Sequence, residues 1–187
     1  MKSFRRGRPG LQQVRWLYIV VLAAAVPGCA ALEPDYVYVD SVASGSAAAM
    51  TRYVLLAQAP GAGAGQDVSA YVRRRHEGFV ELTHDVLRSA GFVRVESPDE
   101  AELVVALEYG IEVVMGPPRT ERTSSVKLVG FDWKAVRDAD HRNAIWRTHA
   151  YMDGSSGGLS HVVPRLLEAM RPHVGTNTDG VVEVVLD

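Results

Sequence analysis

The chain is nearly devoid of cysteine. Cys29 is the only one among 187 residues, so no internal disulfide can form and no thiolate cluster can hold a metal. Acids are missing from the N-terminal segment, where Lys2, Arg5, Arg6, Arg8 and Arg15 stand without an Asp or Glu. Long apolar runs are missing as well. The stretch from Trp16 to Val26 is shorter than the roughly 20 residues with which a helix crosses a bilayer. There are no repeats, no coiled-coil heptads, and no His-Glu-x-x-His pair among the six histidines. These gaps exclude solenoids, coiled coils, helical membrane spans and the common zinc-hydrolase signature.

The N-terminus is instead basic, then apolar, then broken at Pro27-Gly28, the order of a secretory signal. Pro and Gly present extended backbone to a peptidase. The cysteine follows at once. Val26-Pro27-Gly28-Cys29 resembles the bacterial lipobox, matching it at Val26, Gly28 and Cys29, with Pro27 an unusual middle residue. The resemblance implies cleavage between Gly28 and Cys29. It also implies a diacylglycerol on the Cys29 thiol and a further acyl chain, such as palmitate, on its new amino group. One chain anchors weakly and two or more anchor stably, at about 0.8 kcal/mol per buried CH₂. Ala30, with no Asp in its place, implies by the same resemblance the outer membrane, facing the periplasm.

Removing residues 1–28 leaves 159, enough for one domain with a substantial core. It also strips five positive charges, taking the formal charge from −2 to −7. That balance argues against nucleic acid, which demands a basic footprint. Residues 29–50 are expected to be a lipidated tether carrying a short β-rich run at Tyr36–Val39, and residues 51–187 the periplasmic domain.

Arg52–Leu56 reads as a buried strand. Asp67 is a candidate cap for a helix to about Ser89, with Phe79, Leu82, Val86 and Ala90 on one face. Gly78, inside that helix, suggests a close approach to a strand. A short strand at Phe92–Val95 follows. From Leu103 to Met115 apolar residues alternate, the mark of a strand with one face on a core; Gly110 suggests a bulge. Gly116 ends this strand, and the polar stretch to Ser124 reads as an exposed connection. Val126–Val136, with Val129, Phe131, Trp133 and Ala135 on its apolar face and Gly130, Asp132 and Lys134 on the other, and Ala144–Met152 read as two more strands, completing an antiparallel meander. Ser160 can cap a second helix whose face is Leu159, Val162, Val163, Leu166 and Met170. Val181–Leu186 closes the chain as a strand. The expected fold is α+β, a mainly antiparallel sheet with two helices packed on one face, preceded by a lipoprotein signal peptide.

No reaction chemistry assembles in this pattern. Gly61-Ala62-Gly63-Ala64-Gly65 imitates a dinucleotide loop, but the third Gly is misplaced. Gly154-Ser155-Ser156-Gly157 lacks the spacing of a nucleophile elbow. His84-Asp85 has no local metal partner. Arg73-Arg74-Arg75-His76 is a basic cluster that either contacts an anionic polymer or is a solvated first turn. Trp133 and Trp146 either form a cleft or fill the core.

From Tyr53 onward the chain resembles bacterial outer-membrane lipoproteins with a periplasmic domain of unknown function. The resemblance rests on Arg52-Tyr53-Val54-Leu55, Ala90–Val95, Asp99–Leu103, Ile145-Trp146-Arg147 and Pro172–Thr178. It implies location and fold, and no catalytic, cofactor or metal residues. The expected protein is a lipid-anchored, non-enzymatic binding or scaffolding module for an envelope protein or cell-wall component. The alternatives are an enzyme of the envelope, with Ser155 and His149 or His161, and a carrier of lipid or small molecules.

Overall fold

The computed structural model describes residues 35–59, 69–116, 119–138, 144–154 and 158–186. Val26, Gly28 and Cys29, the glycine-rich stretch 61–65, Asp67 and Ser155 lie outside them. In chain order the elements are β1 (Asp35–Ala43), β2 (Arg52–Ala57), α1 (Ala70–Ser89) and β3 (Val93–Arg94). There follow β4 (Leu103–Gly116), β5 (Arg119–Asp132), α2 (Trp133–Asp138), β6 (Ala144–Asp153), α3 (Leu159–Met170) and β7 (Val182–Leu186). The fold is α+β. One seven-stranded sheet runs in the order β3-β2-β4-β5-β6-β1-β7.

The expected meander is present: β4, β5 and β6 are successive antiparallel neighbours. The sheet as a whole is mixed, however, because β2 pairs in parallel with both β3 and β4. The cause is α1. A 20-residue helix between β2 and β3 carries the chain back to the end where β2 began, and only a crossover of that size permits parallel neighbours. The sheet also takes in Asp35–Ala43, a stretch expected to lie in the tether. β1 sits between β6 and β7, and Val37 and Val39 are fully buried.

α1 and α3 pack on one face of the sheet and on each other. Leu103, Val105 and Leu107 of β4, Val126 and Leu128 of β5, and Trp146, Ala150 and Met152 of β6 meet them there. The α3 stripe is as expected at Val162, Val163, Leu166 and Met170. Its cap is Gly158, with no side-chain bond, and Ser160 lies inside the helix. The α1 stripe is turned by one residue: Phe79, Thr83, Val86 and Leu87 are buried, while Leu82 is 36 % exposed. Thr83 can face the core because its hydroxyl donates to the Phe79 carbonyl at 2.8 Å. Gly78 faces open space rather than a strand. Ser69 caps α1, its hydroxyl accepting from Val72 N–H. Gly91, at φ +90°, ends it.

Two further expectations are corrected at β5. The strand begins at Arg119, inside the supposed connection, because β4 and β5 pair without interruption up to Gly116 and Arg119. It ends at Asp132, whose carboxylate accepts from the N–H groups of Lys134 and Ala135 at 2.9 and 3.2 Å. That cap starts α2 and takes Trp133 and Ala135 out of the sheet. The irregularity expected at Gly110 is also elsewhere. Gly110 pairs with Ser125 in register, and the β5–β6 bulge falls at Gly130/Phe131.

Gly130 is opposite Trp146, the largest fully buried side chain. A Cβ on Gly130 would stand 2.2 Å from Trp146 Nε1, so the indole occupies the space a side chain would need. Gly130→Ala should destabilise the domain by about 1–3 kcal/mol through overpacking. Urea unfolding followed by circular dichroism checks this, and an unchanged midpoint would refute the constraint.

Candidate functional site

Strand alternation assigns the residues on the face away from α1 and α3. One row across the strands is Val42, Arg147, Val129, Ala106 and Leu56. A second is Glu183, Tyr38, Tyr151, Ser125 and Gly110. Rings stack along this face: Tyr38 on Tyr151 with centroids 5.4 Å apart, and Tyr151 on His149 at 5.3 Å. Tyr36, Val42, Leu56 and Val185 are exposed, Leu56 at 60 %. Charges frame the rings in pairs, Asp40 with Arg147 at 2.9 Å and Glu108 with Lys127 at 3.4 Å. Burial first, and then the Lys127 and Arg147 charges, lower the His149 pKa, so its imidazole is neutral at pH 7.

A second feature lies at the opposite margin of the sheet. A cavity of about 340 Å³ opens between α1 and β3. Tyr53, Phe92 and Val93 supply its apolar surface, and Glu81, His84, Asp85 and Arg88 its helical wall. Arg94 closes the strand side. Tyr53 Oη is 2.7 Å from His84 Nδ1. Burial pushes the Tyr53 phenol up to about 12, so it stays protonated. Burial, reinforced by Arg94, lowers His84, and the ring is neutral at pH 7. Arg88 pairs with Asp85, whereas Arg94 reaches Glu96 only at 3.9 Å.

The residues singled out in the sequence fall apart spatially. His149 is on β6, facing away from the helices, and His161 is exposed on α3, on the other side of the sheet. Among the described residues no three His, Cys, Asp or Glu gather as a metal site. The basic cluster divides: Arg75 lies over the Tyr71 ring at 5.4 Å and His76 Nδ1 bonds Tyr109 Oη at 2.8 Å, leaving Arg73 and Arg74 at the surface. Trp146 is core, and Trp133 is only partly buried, in α2. Neither the Tyr53–His84 pair nor the ring row was singled out. The second had a signal, aromatics two residues apart at Tyr36/Tyr38 and His149/Tyr151, which places them on one face of a strand. The first had none, its members being 31 residues apart.

No family model matches the chain, and no curated protein matches it. Solved structures with a similar arrangement include the PelC dodecamer from Paraburkholderia phytofirmans, at 14 % identity and TM-score 0.41, covering 76 % of this chain and 99 % of that one. A DUF4136 family protein from Bacteroides thetaiotaomicron has 10 % identity and TM-score 0.44, covering 75 % and 97 %. A minor lipoprotein from Acinetobacter baumannii has 11 % identity and TM-score 0.39, covering 68 % and 94 %. Likenesses this remote leave the function to be read from the chain's own residues.

His84 and His149 both have folded pKa values below the ordinary 6.5, so the unfolded chain takes up protons first. Their contribution is complete above about 6.5 and is lost as the pH falls from there through the folded values. Melting temperature should therefore drop between about pH 7 and 5. His84→Gln should flatten that drop, and an unchanged slope would show that His84 is not a source of it.

Proposed function

We propose that the chain is a lipid-anchored protein of the bacterial cell envelope, attached through Cys29 at the periplasmic side of the outer membrane. Its α+β domain serves as a non-enzymatic binding or scaffolding module for another envelope component. The basic-apolar-lipobox order of residues 1–29 supports the anchor. No helix among the described residues is long and apolar enough to cross a membrane, and covalent acyl chains supply the attachment in this reading.

The observation that carries the binding role is the sheet face away from α1 and α3. It exposes Tyr36, Val42, Leu56 and Val185 beside stacked rings and paired charges. Aromatic centres framed by polar pairs are the make-up of a protein-binding surface. In this reading the face is a surface for docking.

Two outcomes are expected. Cys29→Ser should abolish metabolic labelling by palmitate and leave an unprocessed precursor; undiminished labelling would remove the anchor from the account. A photo-crosslinking residue at Val42 or Val185 in intact cells should capture an envelope partner, and one at Leu82 on α1 should not. Equal capture from both places would mean that the face has no special role.

A further inference from the structure

We propose that the β3 margin and the cavity beside it bind an extended peptide segment, which lies along β3 as an added strand and places one apolar side chain in the cavity. This site is separate from the face proposed for docking and needs no lipid anchor.

The first support is the margin itself. β3 ends the sheet, with β2 as its one strand neighbour among the described residues. Val93 N–H donates to the Thr51 carbonyl at 2.9 Å and Val95 N–H to the Tyr53 carbonyl at 3.0 Å. Successive residues of a strand direct their backbone groups to opposite sides, so the N–H and C=O of Arg94 point away from β2. Such a pair is a template for another chain, and strand addition is a recurrent way of holding peptides.

The cavity supplies what one backbone pair cannot. Its volume of about 340 Å³ lies at the low end of small-ligand pockets, about 300–1,000 Å³. It has room for one side chain, and its Tyr53, Phe92 and Val93 lining suits an apolar one. The Tyr53 and Phe92 rings meet edge to face, 6.5 Å between centroids, an arrangement that accommodates a further ring.

Charge then selects among ligands. Arg88 and Asp85 neutralise each other, and Glu81 and Arg94 balance across the rim. A phosphate or other strongly charged group would meet its own sign as often as the opposite one. A neutral peptide backbone meets polar groups it can use, including the imidazole of His84, which lines the cavity beside its bond to Tyr53.

The test titrates the full chain, in detergent micelles, with a blocked seven-residue peptide of alternating threonine and valine around one central phenylalanine. Saturable binding is expected, with amide shifts at Val93, Arg94 and His84. Arg94→Pro removes the outward donor and should weaken binding about five- to tenfold, the worth of one backbone hydrogen bond. Arg94→Ala, which keeps the N–H and removes only the side chain at the cavity rim, should weaken binding less than Arg94→Pro does. N-methylation along the peptide should weaken binding at alternate positions only, a readout that stands even if Arg94→Pro does not fold. Absence of saturable binding, equal binding by every N-methylated peptide, binding of phenylalanine amide as tight as that of the peptide, or shifts confined to Tyr38 and Tyr151 would each overturn the proposal.

Discussion

The sheet depends on one buried hydroxyl. Ser41 lies in the middle of β1, fully buried, and its Oγ is 2.7 Å from Thr148 Oγ1 and 2.8 Å from the carbonyl oxygens of both His173 and Thr176. A hydroxyl has a single proton, so it donates to one carbonyl at a time while Thr148 shares the junction. Around it the backbone closes in both directions: Ser41 N–H donates to Thr178 Oγ1 and Thr178 N–H to the Ser41 carbonyl, each at 2.9 Å. Asn177 Oδ1 accepts from Ala43 N–H at 2.7 Å. The turn after α3 is thereby fastened to β1, which fixes where β7 can begin and sets its register beside Tyr36 and Tyr38. Loss of this hydroxyl would take a donor from the Thr176 carbonyl, whereas the His173 carbonyl would keep Thr176 N–H at 3.1 Å and Thr176 Oγ1 at 2.9 Å.

Packing the two long helices on one side gives the domain its functional asymmetry. One face of the sheet is spent on the core. The other keeps aromatic and aliphatic side chains available, held by neighbouring strands rather than by a loop. The parallel insertion of β2 has a local effect as well. Because α1 crosses from β2 to β3, its second half passes over the margin of the sheet, and this brings His84 onto Tyr53 and opens the cavity. Crossover and cavity are one feature viewed at two scales.

Long periodic segments were legible in the sequence. The alternation from Leu103 to Leu107 and the α3 stripe correspond to buried residues, and Val104, on the opposite face of β4, is buried as well. Ile111 and Val113 continue the same alternation but are 40 % and 43 % exposed; periodicity records which side a residue faces, not where the covering helices stop. The α1 face was misjudged because Leu82 outranks Thr83 as a hydrophobe, and the bond from Thr83 to the turn above is not visible in residue type. Trp133 and Ala135 prolonged the β5 pattern until Asp132 capped a helix instead. The direction of β2 could not be read, since a short apolar strand carries no mark of its partner. The candidate site was the least legible part, because Tyr53 and His84 meet only once the crossover is made.

The position of β1 bears on how the protein matures. This strand is made first among the described elements, yet both of its neighbours, β6 and β7, are made last. Until synthesis has passed β6, the segment next to the proposed anchor has nothing to pair with, and its second edge stays open until β7 is made. Pairings over such sequence distances slow folding. In the export proposed above that delay would be useful: a polypeptide unable to complete its sheet early stays threadable through a narrow secretion channel and would close on the far side.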